Sequence, residues 1–175
     1  MLEVVQVALL TVLRWLWLAL PVIVTAVAMF ALMAPMDLLP IPTPDIVLIA
    51  VFFWAISGPA FLPPWAVLAL GLLQDLATGA PPGFWALIYL LAYGFTLSQR
   101  VFFKGRTGLG AWIGFALVAA LAAVATWVLG SIVYMRWLPP SQIYMQAIVT
   151  FVAYWPVSKV FLLMRRTLTT AREAL

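Results

Sequence analysis

The sequence predicts an all-α polytopic membrane protein, a six-helix bundle with two short central helices. Hydrophobic residues make up 67% of the chain and charged residues 8%, against ~45–50% and ~25% in soluble domains. Fourteen ionisable side chains, nine Lys and Arg with five Asp and Glu, cannot coat a 175-residue globule with groups that prefer water. Those few charges also bound uncharged runs, each long enough to supply the ~20 apolar residues that cross a ~30 Å hydrocarbon core. Residues 1–175 therefore read as one integral membrane domain, with no soluble domain inserted.

The first uncharged run, Trp15–Met36, predicts a helix over 15–35. It lacks a small-residue cleavage site, is too long for the core of a signal peptide and is followed by more apolar segments, so it reads as a retained first span. The next run, Ile46–Gln74, is interrupted by Ser57-Gly58-Pro59 and by Pro63-Pro64. Proline removes a backbone donor and clashes with the preceding turn, which leaves helices at 45–57 and 64–78. Each is ~20 Å long at ~1.5 Å per residue, short for a crossing unless the bilayer thins or protein shields the ends. One kinked span would give five crossings and a tight pair would give six. Helices over 84–103, 109–136 and 142–164 follow.

Basic residues favour six. With both termini cytoplasmic, Arg14, Arg100, Lys104, Arg106, Lys159, Arg165, Arg166 and Arg172 lie inside and only Arg136 outside; five crossings give at best seven against two. Excess Lys and Arg on the cytoplasmic side is the general rule for such proteins. Trp and Tyr near predicted helix ends, such as Trp65, Trp85, Trp112 and Trp137, suit the headgroup level or fill the bundle.

The inventory limits the chemistry. There is no Cys and no His, which removes thiol nucleophiles, imidazole bases and most zinc sites. The five acids are Glu3, Asp37, Asp45, Asp75 and Glu173. An enzyme is not expected, and neither a metal nor a cofactor is assigned. No stretch mixes dense basic residues with aromatics, which argues against nucleic acid.

The most informative stretch runs from Gly71 to Gly83. Gly71, Asp75 and Gly79 fall at i, i+4 and i+8, so they share a helix face, and small residues at that spacing let another helix come close. Gly79 can also provide the left-handed turn that ends the helix; Pro81-Pro82 stiffen the loop and Gly83 opens the next helix. Asp75, beside Gln74, is a carboxylate at membrane depth, which by default raises a functional role. It is expected to act as an architectural lock, accepting N–H bonds from the first turn of the following helix; contact with a partner protein and ion or substrate binding are the other readings. As a lock it should tolerate Asn, which keeps an acceptor oxygen. In the last helix, Pro156 frees the carbonyl of Val152 and should bend the chain.

These residues carry a resemblance. Trp54-Ala55-Ile56-Ser57-Gly58-Pro59, the Gly71–Asp75–Gly79–Gly83 block, Tyr154-Trp155-Pro156 and Leu162-Leu163-Met164-Arg165-Arg166 together look like the MreD family of bacterial rod shape-determining membrane proteins, and the likeness spans almost the whole chain. It implies a non-enzymatic inner-membrane component of the rod (elongation) complex that builds lateral peptidoglycan. The implied partners are MreC, with RodA and a class B penicillin-binding transpeptidase in the same complex, and MreB at the cytoplasmic face. The resemblance marks Trp54, Pro59, Gly71, Gln74, Asp75, Gly79, Gly83, Trp155 and Pro156 as structural or partner-contact candidates. The basic residues Arg100, Lys104, Arg106, Arg165 and Arg166 form a cytoplasmic electrostatic set, for which anchoring to anionic lipid is the first reading and contact with MreB the sharper one. The implied fold is similar to the substrate-binding subunits of energy-coupling-factor transporters, which supplies a second functional reading: a vitamin-type small-molecule-binding subunit.

Overall fold

The computed structural model describes residues 19–33, 42–103 and 109–173, and among these every regular element is helical. They are α1 (Ala19–Met33), then α2 (Ile46–Ser57), α3 (Pro64–Thr78), α4 (Phe84–Ser98), the single turn α5 (Arg100–Phe103), α6 (Leu109–Val133) and α7 (Pro140–Glu173). The beginning of the first expected helix and most of the loop after it lie outside the described residues.

The short α2 is the centre of the molecule. Ten of its 12 residues, Ile46 through Ala55, are buried. This explains how so short an apolar segment is tolerated: α4, α6 and α7 surround it, and no lipid has to match its length. Phe52 meets Phe115 of α6 and Tyr154 of α7 at ring-centroid distances of 5.3 and 5.8 Å, and those two rings stack at 4.3 Å. Further along, Phe53 and Trp54 pack on Phe161 of α7. α2 and α7 therefore run side by side in the same direction.

The proline breaks act as expected. Gly58 stops α2, with its N–H on Trp54 O at 2.9 Å, and α3 starts at Pro64 in the first-turn position where proline costs no hydrogen bond. α3 buries one face, Ala66, Val67, Leu70, Gly71, Gln74 and Asp75, and turns Trp65, Leu68, Leu72, Leu73 and Leu76 outward. α4 returns antiparallel to α3 and parallel to α2. The two segments over 45–78 are thus separate antiparallel helices, not one kinked rod.

Three segments differ from expectation. The segment 84–103 is divided at Gln99. Ser98 turns its hydroxyl onto Phe95 O at 2.8 Å, a local bond that competes with helix continuation. α6 stops at Val133, short of 136, because Met135 takes φ 48° and Arg136 N–H returns to Ser131 O at 3.2 Å, the left-handed ending of a Schellman-type cap. α7 extends beyond 142–164 in both directions. Pro140 seeds its first turn, and the polar tail 165–173 stays helical, with the hydroxyls of Thr167, Thr169 and Thr170 bonded back to carbonyls three or four residues earlier. Pro156 lies inside this helix without interrupting it.

Candidate functional site

Polar groups gather at one end of the bundle, where α2 and α4 begin, α3 and α6 finish and α7 starts. Asp75, 1% exposed, closes the α3–α4 hairpin. Its Oδ2 accepts the Gly83 N–H at 2.7 Å and its Oδ1 accepts the Trp85 N–H at 2.7 Å. Those donors belong to the orphan N–H groups that every helix start presents, so the carboxylate caps α4 from the preceding helix. The lock inferred from the sequence is present, and it uses both oxygens.

The glycines around it serve three different purposes. A Cβ on Gly71 would collide with the Ala86 Cα and lie 2.7 Å from the Ala86 N, so this is where the α3 and α4 backbones touch. Gly79 does not share that duty: nothing among the described residues lies within 4 Å of its Cβ position. The expectation that Gly79 belongs to the close-contact face is therefore corrected. It is needed for its φ of 68°, which ends α3 and lets its N–H reach Asp75 O. Gly83 adopts φ 96° at the start of α4. Gln74 is buried beside Asp75, yet among the described residues its Oε1 has no hydrogen-bond partner, and neither has the buried indole N–H of Trp54. Pro59 sits in the turn after α2, and a Cβ on Gly58 would lie 2.8 Å from the Phe61 ring, which itself packs on Trp54 at 5.3 Å.

A second buried carboxylate was not singled out by the sequence. Asp45 is 8% exposed and caps α2: its Oδ1 accepts the Leu48 N–H at 2.9 Å and the Tyr89 hydroxyl at 2.9 Å. Its own N–H donates to Thr150 Oγ1 at 2.9 Å. One residue thereby joins α2, α4 and α7. Trp85, whose N–H is on Asp75, stacks on Tyr89 at 5.8 Å, so the two carboxylate centres are linked through consecutive turns of α4. Asp-Ile at the start of an apolar helix is an N-cap signal, and that signal could have drawn attention to Asp45.

The other candidates lie elsewhere. Trp155 and Pro156 are on the outer surface of α7, and the Lys159 ammonium rests 3.4 Å from the centre of the Trp155 ring, a cation–π contact. Arg100 Nε donates to Ile56 O at 3.3 Å, satisfying a carbonyl left over at the end of α2. Arg165 and Arg166 occupy the far half of α7, at the same end of the bundle as Arg100; Lys104 and Arg106 fall outside the described residues.

Two helices, α6 over Gly110–Val133 and α7 over Pro140–Thr167, are long and apolar enough to cross a membrane. The surface around them is apolar as well: Leu76, Ile113, Ile132 and Leu163 are 78%, 71%, 65% and 62% exposed. Buried carboxylates under an apolar exterior define the class, an α-helical protein whose outer face suits lipid or partner helices. Comparison with protein-family models, with curated proteins and with solved structures gives no match.

Proposed function

We propose that this chain is a non-enzymatic, multi-pass scaffold of the bacterial inner membrane, acting in the rod complex by binding MreC and supporting lateral peptidoglycan synthesis and cell shape. The observation that carries the reading is the α3–α4 hairpin. The Gly71–Asp75–Gly79–Gly83 block, the most specific part of the resemblance to MreD, folds into a rigid unit closed by two 2.7 Å bonds, as a fixed docking surface requires. Five of the six described basic residues, Arg100, Lys159, Arg165, Arg166 and Arg172, fall toward one end and Arg136 at the other. That partition supports six crossings with both termini cytoplasmic.

The alternative, a subunit that binds a vitamin-type small molecule, needs an enclosed space of ~300–1,000 Å³ with convergent polar groups. The cavity between α2, α4, α6 and α7 measures about 30 Å³. A larger recess of about 330 Å³ is lined by Trp127, Ser131, Arg136, Trp137 and their neighbours on α6 and its exit loop, so it is a surface feature of one element and not a chamber of the bundle. A filled interior supports the scaffold.

Purification in mild detergent from a rod-shaped bacterium, followed by identification of what stays bound, tests the proposal. Recovery of MreC at a fixed ratio is the expected result. A stoichiometric small molecule with no MreC would overturn it in favour of the transporter subunit.

A further inference from the structure

The small cavity beside Asp45 has a lining that its size does not require. Among alanines, Leu48 and Ile143 it gathers Asp45, Trp85, Thr126, Gln146 and Thr150. At about 30 Å³ it has room for roughly one water-sized species. The hydroxyl protons of the two threonines are already committed, Thr126 to Ala122 O at 2.8 Å and Thr150 to Gln146 O at 2.7 Å. What these side chains can still offer is lone pairs. A carboxylate has about four acceptor positions, and the Leu48 and Tyr89 bonds both fall on Oδ1. No basic side chain neighbours Asp45 among the described residues. The start of α2 offsets part of the charge through its dipole, and the rest is an anion nine-tenths removed from solvent, next to a small, mostly apolar space whose oxygen-bearing side chains are Asp45, Thr126, Gln146 and Thr150.

We propose that this cavity is a binding site for a single monovalent metal cation, Na⁺, held by the Asp45 carboxylate with the Thr126 and Thr150 hydroxyl oxygens and the Gln146 amide oxygen. The donor set selects the ion. Hard oxygen ligands with one negative charge match a monovalent cation. Four oxygen donors carrying one negative charge fall short of the six to eight oxygens that Ca²⁺ takes, and the space leaves no room for the several waters that Mg²⁺ keeps. Binding there would clamp α2, α6 and α7 at the end that also carries the α3–α4 lock. The inference rests on the cavity and holds whether or not the chain is a scaffold.

The test is thermal unfolding of the purified full-length protein in detergent, in NaCl, KCl or choline chloride at matched ionic strength. A ligand that binds only the folded state raises stability along a saturating curve. Na⁺ is expected to raise the Tm by several degrees over choline, saturating as for one site, with K⁺ weaker. Asp45→Asn should abolish the response. Because that change also disturbs the α2 cap, Thr126→Val is the decisive variant: it keeps the shape and every Asp45 hydrogen bond, and should weaken the apparent Na⁺ affinity by about tenfold with the Tm in choline little changed. Coincident Na⁺ and choline curves for the unaltered protein, equal responses to Na⁺ and K⁺, or an unchanged Na⁺ curve in Thr126→Val would each overturn the proposal.

Discussion

Asp75 shows how an atomic detail revises a mutational expectation. An asparagine has one acceptor oxygen, and its amide group would face an N–H where a carboxylate oxygen now stands. Since Gly83 and Trp85 each require an acceptor, Asp75→Asn should leave one buried donor unsatisfied, a cost of ~1–3 kcal/mol. The tolerance to Asn expected from the sequence does not survive this geometry. Asp75→Leu should cost more, because both donors are stranded. Thermal unfolding in detergent should rank the proteins as unaltered, Asn, then Leu; an Asn variant as stable as the original would mean that the two bonds contribute little. Of the two carboxylate centres, only Asp75 was legible in the chain, and sequence distance explains why. Its partners lie 8 and 10 residues away, across a turn already marked by glycine and proline. Asp45 reaches Tyr89 and Thr150, 44 and 105 residues away, and no local pattern connects residues so far apart.

Among the elements, α3 and α4 depend on each other through two glycines of opposite character, and substitution should separate them. Gly71→Leu drives a side chain into the Ala86 backbone and should part the helices, destabilising by ~1–3 kcal/mol or more. Gly79→Ala meets open space and should cost only the ~1–2 kcal/mol of placing a Cβ residue in the left-handed region, and Gly79→Asn less still. Folded yield and Tm for the three variants check this; a Gly79→Ala protein as damaged as Gly71→Leu would show that Gly79 also makes a close contact. Helix positions were readable because proline, glycine and Asp45 punctuate the apolar runs: α3 falls at 64–78 as expected, and α2 differs only in that Asp45 is its cap. The breaks at Gln99 and Met135 were not readable. Each is decided by a backbone ending that follows no proline and, at Met135, uses a residue that rarely adopts positive φ. The helical tail of α7 runs past the expected end at 164 because polarity alone does not oppose helix formation, and the hydroxyls of Thr167, Thr169 and Thr170 bond back along it.

At the level of the whole molecule, polarity is inverted relative to a water-soluble bundle, with carboxylates inside and leucines outside. The crossing pattern is directly testable because the chain contains no cysteine. A single cysteine at Thr43, an exposed position just ahead of α2, should react with a membrane-impermeant maleimide in spheroplasts. One at Thr170, exposed near the end of α7, should react only after permeabilisation. Labelling of both in sealed cells would place them on one side and refute the six-crossing arrangement.

The bond from Asp45 N–H to Thr150, spanning 105 residues, bears on the order of biogenesis. At ~5–20 residues per second, ribosomal synthesis needs roughly 5–20 s to deliver Thr150 after Asp45 has emerged. On the proposed multi-pass reading, α2 would sit in the bilayer through that interval without α7, and through most of it without a complete α6, two of the three helices that surround it. On that reading the nascent protein waits with its central helix only partly covered, a state suited to surveillance by membrane chaperones and proteases. A chain truncated at Leu138 should insert yet be degraded quickly, and a separately expressed segment 139–175 should restore its half-life in pulse-chase measurements. Equal lifetimes of the truncated and complete chains would mean that α2 is held before its last neighbour arrives.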